Sequence, residues 1–319
     1  MRTRGVRSRR PAVLAALMLV LLATALAAAG CGADRPDRAD RPDRADRPGS
    51  PGSPGSPEGA GARVVPSAAD RRYLKRAEQI LIAECLRAQG FAYEARTLPD
   101  EPPRRFPYVL DDVAWARRHG YGLDEERRIA ARKAADPNER YFRGLPPERQ
   151  KAALAALNGA RPEGLSARMP GGGVVVASDE GCTARAQRRL YGDLQGWFAA
   201  RLTVANLTPL YVPKVREDPE FRRAVGGWAR CMAGRGHRYA TPDALREALP
   251  GVRTRAAEIR LAVAEAGCAG ESGLAATAKA LDARYGAEVR RRYAGQIATE
   301  LRLARAAVPR AREVLHRRP

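Results

Sequence analysis

The chain has 319 residues, a formal net charge of +21 and five cysteines. Its arginines are scattered rather than gathered into one block and no groove-reading motif occurs, so the charge does not mark a nucleic-acid-binding protein. There is no Cys-x-x-Cys, His-Glu-x-x-His, phosphate loop or Gly-x-Ser-x-Gly either, so no residue qualifies as catalytic, metal-binding or cofactor-binding by motif.

Residues 1–10 carry five arginines and no acid, and an apolar run follows from Ala12 to Ala29, broken only by Thr24. It ends in Ala28-Ala29-Gly30-Cys31. A basic start, an apolar middle and a small-residue cleavage site make a secretory signal over 1–30. A cysteine just after the cut adds lipoprotein chemistry, because its thiol accepts a diacylglycerol group. The Leu26–Cys31 stretch looks like a lipobox, with Ala28 where Leu is commoner. Ser8-Arg9-Arg10 faintly resembles a twin-arginine signal, but Pro11 favours the ordinary secretory route. The apolar run is at the lower edge of what spans a bilayer, and no basic stop-transfer cluster follows it. The expectation is therefore a lipid on Cys31 and an address on the outer face of the cell membrane.

Residues 31–66 read as a linker. Asp-Arg-Pro-Asp-Arg-Ala repeats run from Asp34 to Pro48, and Gly-Ser-Pro repeats reach Pro57. Such a segment has no apolar surface to offset ordering entropy, so it is expected to be a disordered spacer. Removing the five arginines of residues 1–30 leaves +16 of the +21, and five Asp balance five Arg over 34–48. The excess therefore belongs to the domain expected over 67–319. Outside a cell its candidate polyanions are anionic lipid headgroups and cell-wall phosphate polymers.

That domain reads as helical. Residues 70–88 place Tyr73, Leu74, Ala77, Ile80, Leu81, Cys85 and Ala88 on one stripe, and Gly90 supplies the left-handed residue that closes the helix. Short helices follow over Asp112–His119, Glu125–Ala135 and Pro147–Leu157, the second stopping before Pro137. Val174-Val175-Val176 is the one strand-like run. Ala186, Leu190 and Leu194 form the stripe of a helix after Cys182. Asp218-Pro219 starts another as N-cap and first residue, lined by Phe221, Val225, Trp228 and Met232 and closed by Gly236. Ile259, Val263 and Ala266 lead a further helix to Cys268, and one long helix is expected over about 274–307. The predicted fold class is all-α.

With Cys31 lipidated, Cys85, Cys182, Cys231 and Cys268 remain, an even number that implies disulfides in an exported chain. Spacing alone admits three pairings. An internal repeat separates them: Cys85–Tyr93 and Cys231–Tyr239 both read Cys, apolar, three residues, Gly, ring, one residue, Tyr. Cys182 and Cys268 each follow a glycine. Duplicated units pair within themselves, so Cys85–Cys182 and Cys231–Cys268 are expected, giving two stapled helical units. Trp228, Met232, His237 and Tyr239 cluster around the second repeat and serve either to line a ligand or to pack the staple.

These residues resemble a set of exported lipoproteins of unknown function from Streptomyces-like actinobacteria. In that set a Trp-x-x-Cys-Met helix ending in a Gly-aromatic turn precedes a Glu-Ile…Ala-x-Ala-acid…Cys helix. Here these are Trp228–Tyr239 and Glu258–Cys268, with Glu265 where Asp is the family residue. Asp112–Gly122, Leu145–Gly159 and Leu190-Tyr191-Gly192-Asp193 also look familial, and the likeness covers most of 67–300. It implies export and a shared fold, and carries over no reaction. The expected function is a membrane-anchored, non-enzymatic binding module of the envelope. The alternative is an envelope hydrolase with an unrecognised site. No cofactor is expected.

Overall fold

The computed structural model describes residues 65–96, 104–252 and 254–317. The signal reading, Cys31 and the linker as far as residue 64 lie outside the described residues. Among those described are thirteen α-helices and one two-stranded sheet. None of these helices is long and apolar enough to cross a membrane.

Helix α1 (Ala68–Ala88) begins in a capping box, with the Ser67 side chain accepting from the Asp70 N–H and the Asp70 carboxylate accepting from the Ser67 N–H. It buries Leu74, Ala77, Ile80, Leu81 and Leu86. Tyr73, expected on that stripe, is instead 40% exposed, with the Arg312 guanidinium 5.6 Å from its ring. Then come α2 (Val113–His119), α3 (Leu123–Ala134), α4 (Pro137–Gly144) and α5 (Pro147–Asn158). The sequence reading missed α4. Pro137 is not a stop there but the first helical residue, where its missing N–H costs nothing, and Asp136 caps it by accepting from the Asn138 N–H.

The valine run is strand β2 (Val174–Ser178), and it pairs antiparallel with an unforeseen β1 (Gly164–Arg168). The single helix expected through Leu194 is two: α6 (Gly181–Tyr191) stops at Gly192, and Asp193 caps α7 (Leu194–Ala205) by accepting from the Gly196 N–H. Helices α8 (Val212–Glu217), α9 (Pro219–Gly234), α10 (Pro242–Ala248) and α11 (Arg255–Glu271) follow.

The expected C-terminal helix is also two, α12 (Leu274–Arg292) and a longer α13 (Ala294–His316), broken at Tyr293. The break turns the chain from one core to the other: α12 packs on α9, whereas α13 packs on α1, α6 and α7. Helix α13 also runs past its expected end and through Pro309. Ala307, Ala311 and Val314 on both sides of that proline are buried in the first core, and this burial overrides the local break.

Both staples form as expected, Cys85–Cys182 and Cys231–Cys268, each bridging two helices. Each sits in its own core. Around Cys182 are residues of α1, α6 and α13, with Phe91, Ala156 and Trp197. Around Cys268 are Trp228, Met232, Leu245, Leu274 and Leu281, with Tyr108. The repeat is visible in the backbone: the Phe91 N–H donates to Leu86 at 3.0 Å and the His237 N–H donates to Met232 at 2.9 Å, across Gly90 and Gly236 at φ +78° and +82°. The second cysteines differ, because Cys182 opens α6 and Cys268 lies near the end of α11.

Candidate functional site

Three helix ends meet at the first staple. The disulfide ties the end of α1 to the start of α6, and the start of α6 lies on the end of α5. A Cβ on Gly181 would sit 2.3 Å from the Gly159 nitrogen and 2.9 Å from the Leu157 oxygen, so only glycine at φ +84° permits this approach. The junction leaves an open groove of about 800 Å³.

Its lining is charged, polar and apolar by turns. Phe91 and Ala156 form apolar floor. The Arg149 guanidinium stands 4.4 Å from the centre of the Phe91 ring and donates to the Gly90 carbonyl at 3.0 Å. Arg188 donates to the Asp179 carbonyl at 2.9 Å, and Arg185 donates to the Gly181 carbonyl at 3.4 Å. The Gln89 side-chain amide lies over the staple, 3.0 Å from Cys182 Sγ.

These arginines answer carbonyls at helix ends and turns, and among the described residues none of the three has a carboxylate partner. Asp179 and Glu180 also belong to the lining, and Glu180 is held at 2.5 Å by Arg161, which lies outside it. Each guanidinium uses only part of its fork of donors, so it retains N–H groups for an outside acceptor. The N-terminus of α6 adds a fixed positive end. Such a groove can hold an oxyanion, phosphate or carboxylate, by paired hydrogen bonds. No protein-family model, curated protein or solved structure matches this chain.

The residues singled out from sequence fall elsewhere. Trp228 and Met232 are wholly buried beside Cys268, Tyr239 packs partly against the same core, and His237 is half-buried beyond Gly236. The ligand atoms of Cys231, Cys268 and Glu271 lie within 4.8 Å of one another. Both sulfurs are spent in the disulfide, however, and Glu271 pairs with Arg235 at 2.5 Å.

The segment before α2 is clamped onto α11 by charge. Glu265, fully buried, accepts from the Leu110 N–H at 3.0 Å, and Glu258 accepts from the Tyr121 N–H at 3.0 Å. Arg246 and Arg255 donate back, to the Phe106 and His119 carbonyls at 2.9 and 2.8 Å. Burial pushes the Glu265 carboxyl above the usual range. Arg255 also pairs with Glu258 at 3.0 Å, and these groups tie the segment to α11 and serve the scaffold.

The groove is not legible in the sequence because its arginines come from two helices, α5 and α6, that meet through the close contact of Gly159 and Gly181. One signal was present: Arg185, Arg188 and Arg189 stand at i, i+3 and i+4, which is one face of a helix.

Proposed function

We propose that this chain is a lipoprotein held by Cys31 on the outer face of the cell membrane, where it binds an anionic component of the envelope in the groove beside the Cys85–Cys182 staple. The observation that carries this reading is the groove itself, where three guanidiniums outnumber the two acids of the lining and, among the described residues, form no ion pair with them. The net positive charge of the domain supports it, by raising the local concentration of anions. The lipobox-like Leu26–Cys31 stretch and the Asp/Arg/Pro spacer support the tether and its reach.

Membership of the actinobacterial lipoprotein set belongs to the same proposal. Two of the segments on which the resemblance rests, Asp112–Gly122 and Glu258–Cys268, are joined by the clamp of Glu258 on the Tyr121 amide. They act as one piece of scaffold, as a shared fold requires.

Co-sedimentation tests the binding reading. The protein should pellet with purified cell walls and should stay in solution once wall phosphate polymers are extracted by acid. Equal pelleting with both preparations would refute an anionic wall ligand. Labelling in cells with a radioactive fatty acid tests the tether, and the label should vanish with Cys31→Ser.

A further inference from the structure

The groove is not the only basic depression on α6. A smaller one, about 100 Å³, opens where the end of α6 meets the end of α13, and Arg189, Arg310 and Arg317 line it with Glu313. Arg310 donates to the Leu190 carbonyl at 2.6 Å, Arg317 lies 3.7 Å from Glu313, and Arg189 forms no ion pair among the described residues. Arg185 and Arg188 face the groove while Arg189 faces this second depression. Arg185 and Arg189 are one helical turn apart, about 6 Å along the axis. The two depressions therefore share one exposed arginine stripe.

Like charges at this spacing repel, and the acids nearby, Asp179 and Glu180 in the groove and Glu313 in the second depression, form no ion pair with Arg185, Arg188 or Arg189 among the described residues. A single small anion would satisfy one depression and leave the other as it is. A planar array of lipid headgroups meets the exposed arginines but does not fill a groove of about 800 Å³. A flexible chain with a charge on every repeat can lie in the groove, cross α6 and seat a second charge beside Arg189 and Arg310.

Resting on the proposed anion-binding reading of the groove, we propose that its ligand is a linear phosphodiester polymer that spans both depressions along the Arg185–Arg188–Arg189 stripe.

Calorimetry on the full-length chain in neutral detergent tests this, with glycerol-phosphate oligomers of increasing length as probes. Affinity should rise roughly ten-fold or more from the single unit to the length that reaches both depressions, and then level off per site. In Arg189→Ala/Arg317→Ala most of that gain should disappear, with circular dichroism confirming the fold. Binding that depends on Arg185 and Arg188 but is equally tight for one unit and many would overturn the spanning polymer and keep the anion groove. Binding to no oligomer at all would overturn both. Preference for phosphatidylglycerol vesicles over the longest oligomer would assign the stripe to the membrane and overturn the polymer.

Discussion

Glu265 shows how a single side chain can be both an anomaly and a necessity. Its carboxyl sits fully buried and one of its oxygens takes the Leu110 N–H. Replacing it with Leu leaves that amide unsatisfied and should cost about 1–3 kcal/mol in a denaturant melt. Glu265→Gln keeps the acceptor and should cost less. The same burial gives a pH signature. Burial holds the Glu265, Glu78 and Glu300 carboxyls above the usual range, so the folded state binds more protons than the unfolded chain above the ordinary glutamate value. Their contribution is fully present below that value and is lost as pH rises through the raised ones. In the opposite sense, the Ser67 hydroxyl holds Asp70 low and the Trp115 amide holds Asp112 low, contributions lost as pH falls. Melting temperature should therefore peak in the mildly acidic range, and Glu265→Gln should flatten its decline toward pH 8. Little of this was legible in the sequence, which shows that Glu265 stands in an apolar stretch but not which amide it meets. The apolar face of α1 was legible, since Leu74, Ala77, Ile80 and Leu81 recur at helical spacing.

At the scale of elements, the repeat was legible because it is local. Gly90 and Gly236 end their helices by the same backbone bonds, and each neighbouring cysteine is placed by its helix. The break at Gly192 carries a local signal, a glycine followed by the capping Asp193, whereas the passage of α13 through Pro309 was not legible, because the burial of Ala307, Ala311 and Val314 decides it. The staples close loops of 97 and 37 residues in sequence separation. On a chain-entropy account they stabilise by about 4.7 and about 3.8 kcal/mol. Cys85→Ala/Cys182→Ala and Cys231→Ala/Cys268→Ala should thus lose similar stability despite the difference in span. A chemical-denaturation series compares them. Gly181→Ala acts on the same junction from its backbone. Its methyl would meet the main chain of Gly159, and the strain should cost more than about 2 kcal/mol. The loss of stability should come with loss of groove binding, since Gly181 sets where α6 begins.

For the molecule as a whole, the sequence suggests two units one after the other, and the chain interleaves them instead. The segment from Phe106 to Tyr121 lies on the second unit through Arg246, Arg255, Glu258 and Glu265, while α13 returns to complete the first. Such exchange ties the two cores into one scaffold, because neither is finished until the chain has passed through both. It also explains why the site escaped the sequence reading. Arg149 on α5 and Arg185 and Arg188 on α6 become neighbours only when the Gly159–Gly181 contact sets the two helices together, at the start of α6 that the first staple ties to α1. The net charge was visible from composition, but the gathering of Arg149, Arg185 and Arg188 in one groove is a property of the fold. The most direct measurement of the central claim is calorimetric affinity for purified wall phosphate polymer at about 0.15 M salt, in the native chain and in Arg149→Gln/Arg185→Gln/Arg188→Gln. The account predicts binding that weakens as salt rises and falls by roughly ten-fold or more for the triple variant, with the fold intact by circular dichroism. Equal affinity in the two proteins would contradict it.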